Sequence, residues 1–147
     1  MLDILVDLGP DDLEPRPSLD HLDLLVNRVR SAGLSVSVSV SGRPRPLPAG
    51  LDLSAYRIVQ EALTNTLKHG GRTAVEVCVA YLPDALELTI ADHGSGAAAP
   101  AAAVPPGAEH GLIGMRERAH LFGGTVEAGP GPSGGFRVHA VLPTAAT

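Results

Sequence analysis

Tryptophan is absent from the chain, and phenylalanine and tyrosine contribute only two residues each. An interior without large rings has to be aliphatic, and Leu, Val, Ile and Ala dominate a hydrophobic fraction of 44%. Cysteine is nearly absent as well. Cys78 stands alone, which excludes an internal disulfide and fits a reducing cytosol; inside an alternating strand pattern it reads as a small buried hydrophobe. No apolar run approaches the roughly 18 residues of a membrane span. The first residues, MLDILVDLG, lack the basic start of a signal peptide, so no membrane contact is expected of this piece. Basic runs and interleaved aromatics are missing too, and the formal charge is −5, which argues against a nucleic-acid surface. A length of 147 residues sets one domain as the expectation.

What is present is regular patterning broken by proline and glycine. Residues 10–17 (PDDLEPRP) read as a linker, and Met1 to Leu8 as the tail of an apolar helix. Ser18 can cap a helix with Leu19, Leu22, Leu25, Val26 and Val29 as its apolar stripe and Gly33 as its stop. LSVSVSVS, residues 34–41, alternates strictly and predicts a half-buried strand with Leu34, Val36, Val38 and Val40 inward. After the loop RPRPLPAG comes a helix over roughly Leu53 to His69, ended by Gly70 and Gly71.

Two alternating strands follow, with Val75, Val77, Val79 and Tyr81, then Leu86, Leu88 and Ile90, on one face; the turn at Pro83 and Asp84 makes them an antiparallel hairpin. Residues 94–109 are of low complexity and read as a mobile loop. A helix resumes near Gly111 with Leu112, Met115, Ala119 and Phe122 at helical spacing, closed by Gly123 and Gly124. Thr125 to Ala128 and Phe136 to Leu142 form a last hairpin. The sum is an α/β two-layer sandwich, a mixed and mostly antiparallel sheet of about five strands covered on one face by three helices.

Three stretches carry polar residues that the fold alone does not require. In EALTNTLKHGG, Glu61, Asn65 and Lys68 fall within an arc of about 60° at about 100° per residue. Val59, Ala62, Leu63, Thr66 and Leu67 take the other side. An acid, a neutral oxygen and a cation one turn apart could hold a hydrated magnesium ion and a polyphosphate, or could simply be a solvated helix face. In ADHGSG, Asp92 ends an apolar strand and is expected at the sheet edge, facing a cavity. There a carboxylate could take a base amine while Gly94 and Gly96 let a flat ligand approach; a plain turn is the other reading. In HGLIGMRER, Gly111 and Gly114 are expected at the start of a helix, where free N–H groups suit phosphate, unless they serve loop entry alone.

In this order, the boxes Gln60 to His69, Asp92-His93-Gly94-Ser95-Gly96 and Gly111 to Arg118 resemble the ATP-binding catalytic domain of sensor histidine kinases, over about residues 18–143. The likeness looks closest to the class paired with response regulators of the NarL and LuxR type. It implies a Bergerat ATP site like that of gyrase, mismatch-repair and heat-shock chaperone ATPases. Asn65 would then coordinate Mg²⁺, Glu61 would hold a metal-bound water, and Lys68 with His69 would approach the phosphates. Asp92 would accept the adenine amine, Gly94 and Gly96 would shape its pocket, and Gly111, Leu112, Gly114 and Met115 would belong to the phosphate box under a lid of residues 97–109. The expected cofactors are ATP and Mg²⁺, and the lid is expected to be ordered only with nucleotide.

The same resemblance implies a missing partner. No phosphoacceptor histidine stands in a helix ahead of the linker, and His21 reads as a surface or packing residue. Residues 1–17 would be the end of a dimerisation helix plus linker, and residues 18–147 the catalytic domain. The expected function is to position Mg-ATP for γ-phosphoryl transfer to a histidine on a separate dimerisation domain, inactive or very slow alone. A response regulator would take the group onward. The place is cytoplasmic, including the cytoplasmic part of a membrane-bound sensor. Other readings are an anti-sigma-type protein-serine kinase and a non-catalytic nucleotide-binding module.

Two departures accompany the likeness. Gly135-Phe136 stands where relatives carry Gly-Thr, and His93 follows the adenine aspartate. The stretch from Gly129 to Gly134 fits G-x-G-x-x-G, but its prolines and the strand after it predict a hairpin loop rather than a dinucleotide site. The six histidines lack metal spacing, so zinc is not expected.

Overall fold

The structure, a computed structural model, describes residues 18–69, 74–92, 108–130 and 135–144. Ser18, in extended backbone, accepts the Asp20 N–H and opens a 3-10 turn, Leu19–His21, which runs into α1, Leu22–Ser31. Leu22, Leu25, Val26 and Val29 form its buried stripe. Gly33, at φ 108°, turns the chain back so that the Gly33 and Leu34 N–H groups reach the Arg30 and Val29 carbonyls at 3.0 and 3.1 Å.

β1, Ser35–Gly42, pairs in parallel with β2, Ala74–Leu82, and α2, Ala49–His69, is the crossover between them. β3, Ala85–Asp92, returns antiparallel to β2 through the turn at Pro83 and Asp84. After α3, Ala108–His120, the antiparallel pair β4, Thr125–Pro130, and β5, Phe136–Pro143, places β5 against β3. The strand order is β1-β2-β3-β5-β4, a five-stranded mixed sheet with the three helices as second layer, as the patterning predicted.

Every other residue of the central strands faces the helices. Val75, Val77 and Val79 of β2, Leu86, Leu88 and Ile90 of β3 and Val138, Ala140 and Leu142 of β5 meet Ile58, Val59 and Leu63 of α2 and Met115 of α3 in one aliphatic core. Tyr81, Phe122 and Phe136 pack at its margin.

Several expectations need correction. Val38 and Val40 were expected inward but are 38% and 53% exposed, because β1 is an edge strand that runs out beyond its helical cover. Arg30 guards this edge: its Nε and Nη2 donate to the Val36 carbonyl at 3.2 and 2.7 Å. Cys78 is only half-buried. It lies on the sheet face away from the helices, where the Ser39 hydroxyl donates to its sulfur at 3.3 Å. α2 begins at Ala49 rather than near Leu53, directly after Pro48, whose carbonyl accepts the Asp52 N–H at 2.9 Å. α3 begins at Ala108, so the last two residues of the expected lid are helical, and Phe122 lies in the turn beyond it. Residues 1–17, the rest of the lid, Gly70 and Gly71, and residues 131–134 of the G-x-G-x-x-G stretch lie outside the described residues.

At the end of the sheet reached by Tyr81, several polar contacts tie the chain together. Asp52 accepts the Ser18 hydroxyl at 2.7 Å and the Leu19 N–H at 2.9 Å. Arg45 lies 5.9 Å from the Tyr81 ring centroid and donates to the Thr144 hydroxyl at 2.8 Å. Burial, then the Asp20 and Asp52 carboxylates, push the Tyr81 phenol above its ordinary pKa, with Arg45 acting the other way.

Candidate functional site

Asp92 follows Leu86, Leu88 and Ile90 in the period-two pattern of β3, so its carboxylate continues the inward face as the first polar group past the core. It is 7% exposed. The expectation of a sheet edge is corrected: β3 is the middle strand, and Asp92 stands at its C-terminal end opposite Val75. A buried carboxylate needs donors, and the Phe136 backbone N–H supplies one to Oδ1 at 3.1 Å. The residue that departs from the family pattern therefore holds the aspartate through its main chain. No side-chain signal could have announced this, since every residue except proline carries the same donor.

On α2 two of the three residues of the expected polar arc can be placed. Glu61 and Asn65 are half-buried one turn apart, with Ala62 and Leu63 in the core behind them. Thr66 is buried, and its hydroxyl donates to the Ala62 carbonyl at 3.1 Å. Lys68 and His69 lie in the last turn of the helix, with side chains outside the described set, as are Gly94 and Gly96.

α3 brings the Gly111 box beside the Glu61 box. Gly111 falls in the first turn of α3, the end where helical N–H groups lack partners within the helix, whereas Gly114 lies beyond it. Leu112 and Met115, 4% and 0% exposed, are core residues that anchor this turn. Gly111 stands directly against Glu61: a side chain there would meet the acid's Cδ at 2.9 Å and Cγ at 3.0 Å. Two of the three boxes are thus in contact, and the third ends the strand at the centre of the sheet.

The donor set fits a hard, hydrated cation better than a soft one. Glu61 and Asn65 offer oxygens only, and among the described residues no three His, Cys, Asp or Glu side chains converge as a metal cluster. No helix among the described residues is long and apolar enough to cross a membrane.

Comparison with known proteins agrees with the geometry. Residues 50–146 match the family model described as histidine kinase-, DNA gyrase B-, and HSP90-like ATPase. The chain is 37% identical over 111 residues to the sensor histidine kinase LnrJ of Bacillus subtilis, covering 76% of this chain and 26% of that protein. It is 34% identical over 118 residues to the histidine-protein kinase/phosphatase UhpB of Salmonella typhimurium, covering 78% and 19%. The chain thus spans about a quarter of these relatives or less. Among solved structures, the ATP binding domain of PrrB from Mycobacterium tuberculosis is 32% identical with a TM-score of 0.58, covering 86% of this chain and 93% of that one.

Proposed function

Because the chain belongs to the histidine kinase-, DNA gyrase B- and HSP90-like ATPase family, we propose that it positions Mg-ATP for transfer of the γ-phosphoryl group to a histidine on a separate dimerisation domain. The observation that carries this is the meeting of Glu61 with Gly111 in one layer, beneath which Asp92 ends the middle strand. Likeness to sensor histidine kinases leaves the anti-sigma-type serine kinase without support of its own.

Bound ATP supplies the phosphoryl group, and Mg²⁺ neutralises its charge. The chain's own residues do the placing. Asp92, fixed by the Phe136 N–H, accepts the exocyclic amine of adenine and so selects the base. Asn65 would offer a neutral oxygen to the metal, and Glu61 would hold a water beside it. Lys68 and His69 approach the phosphates, and the N-terminal turn of α3 around Gly111 receives them. Such chemistry rests on positioning and charge, with nucleophile and base arriving from the partner domain, so the chain alone turns ATP over slowly or not at all. A response regulator, of the NarL or LuxR type in the finer form of this proposal, takes the group next. The setting is cytoplasmic.

Calorimetric titration with ATP, with and without Mg²⁺, tests the reading. Wild type binds, Asp92→Ala loses about tenfold or more in affinity, as expected for a hydrogen bond to a charged group, and Asn65→Ala loses the dependence on Mg²⁺. A wild-type chain that ignores ATP refutes it.

A further inference from the structure

Glycine is a poor choice inside a helix, where alanine is better on propensity alone, so Gly111 in the first turn of α3 asks for a reason. Its φ is not in the left-handed range, and alanine would fit the main chain. The obstacle is the neighbouring helix. A Cβ on Gly111 would lie within 3.0 Å of both Cδ and Cγ of Glu61, and nearer still to Oε2. Gly114 differs, because the nearest atom to a Cβ there is the Arg118 guanidinium, 2.9 Å away at the free end of a side chain of the same helix.

We infer that Gly111 is a positioning residue for Glu61: its missing side chain is the space in which the carboxylate stands, against the turn of α3 whose N–H groups and dipole favour an anion. The inference rests on the proposed function, since only there does the place of Glu61 matter. It is separable from phosphate binding by the backbone, because alanine keeps the same N–H. Alanine at 111 displaces the acid, whose end can swing aside, without breaking the core beneath.

The experiment compares wild type, Gly111→Ala, Glu61→Ala and the double variant by melting temperature without ligand and by calorimetric ATP affinity with and without Mg²⁺. Gly111→Ala is expected to melt no lower than wild type. Its gain in affinity from Mg²⁺ falls several-fold, to the level of Glu61→Ala, and the double variant falls no further. A Gly111→Ala protein that keeps the full Mg²⁺ gain overturns the inference. So does an equal loss of affinity on adding the alanine to Glu61→Ala, which would mean that the new methyl blocks nucleotide directly. A melting temperature lowered alike in both backgrounds overturns it as well. A Glu61→Ala protein that binds Mg-ATP as wild type does is a different failure: it removes the role of Glu61 in the site, and this inference with it.

Discussion

Tyr81 couples the fold to pH through a half-buried phenol. Burial and the carboxylates of Asp20 and Asp52 disfavour its ionised form, so its folded pKa lies above the unfolded value. Below the ordinary phenol pKa of about 10 the group is protonated in both states and the full stability is present. As pH rises past that value the unfolded chain ionises first, and stability is lost until the folded pKa is passed. Tyr81→Phe removes this term. Thermal melts at about pH 8 and about pH 11 should show a smaller drop for the variant than for wild type. Equal drops would assign the alkaline loss elsewhere.

The element that departs most from expectation is β1, and its departure is informative. Strict Ser/Val alternation reveals the strand and which side each residue faces, but not how far the covering helix reaches, because that depends on where α1 lies over the sheet. Val38→Thr and Val40→Thr should therefore change stability by no more than about 0.5 kcal/mol. Leu88→Ala, in the fully covered part of β3, should cost about 2–5 kcal/mol by urea denaturation. The same limit governed the other elements. Leu22, Leu25, Val26 and Val29 carried α1 in their spacing, and Glu61 with Asn65 carried the polar arc of α2. The start of α3 was obscured by alanines and glycines with no apolar period, and the place of Asp92 in the middle of the sheet depends on β5 inserting between β3 and β4, which is a long-range pairing. The Phe136 N–H on Asp92 and the approach of Glu61 to Gly111 follow from that tertiary arrangement, so no local pattern could carry them.

For the molecule as a whole, the segment that enters at Ser18 is joined to the site through one rigid rod. Asp52 near the start of α2 holds Ser18 and Leu19, and Glu61 and Asn65 stand further along the same helix. Asp52→Ala leaves the Leu19 N–H without its acceptor and should lower unfolding free energy by about 1–3 kcal/mol, measured by urea denaturation. ATP affinity should change little if the rod itself survives. The parallel pairing of β1 with β2 has a consequence for how the chain is made. Ser35 cannot find Ala74 until all of α2 has been synthesised between them. At about 5–20 residues per second the ribosome holds β1 unpaired for several seconds, with its serines and valines exposed. During that interval α1, already made and the helix that packs on β1 in the folded protein, is the element available to cover them, so the strand waits against the helix that precedes it until its partner emerges.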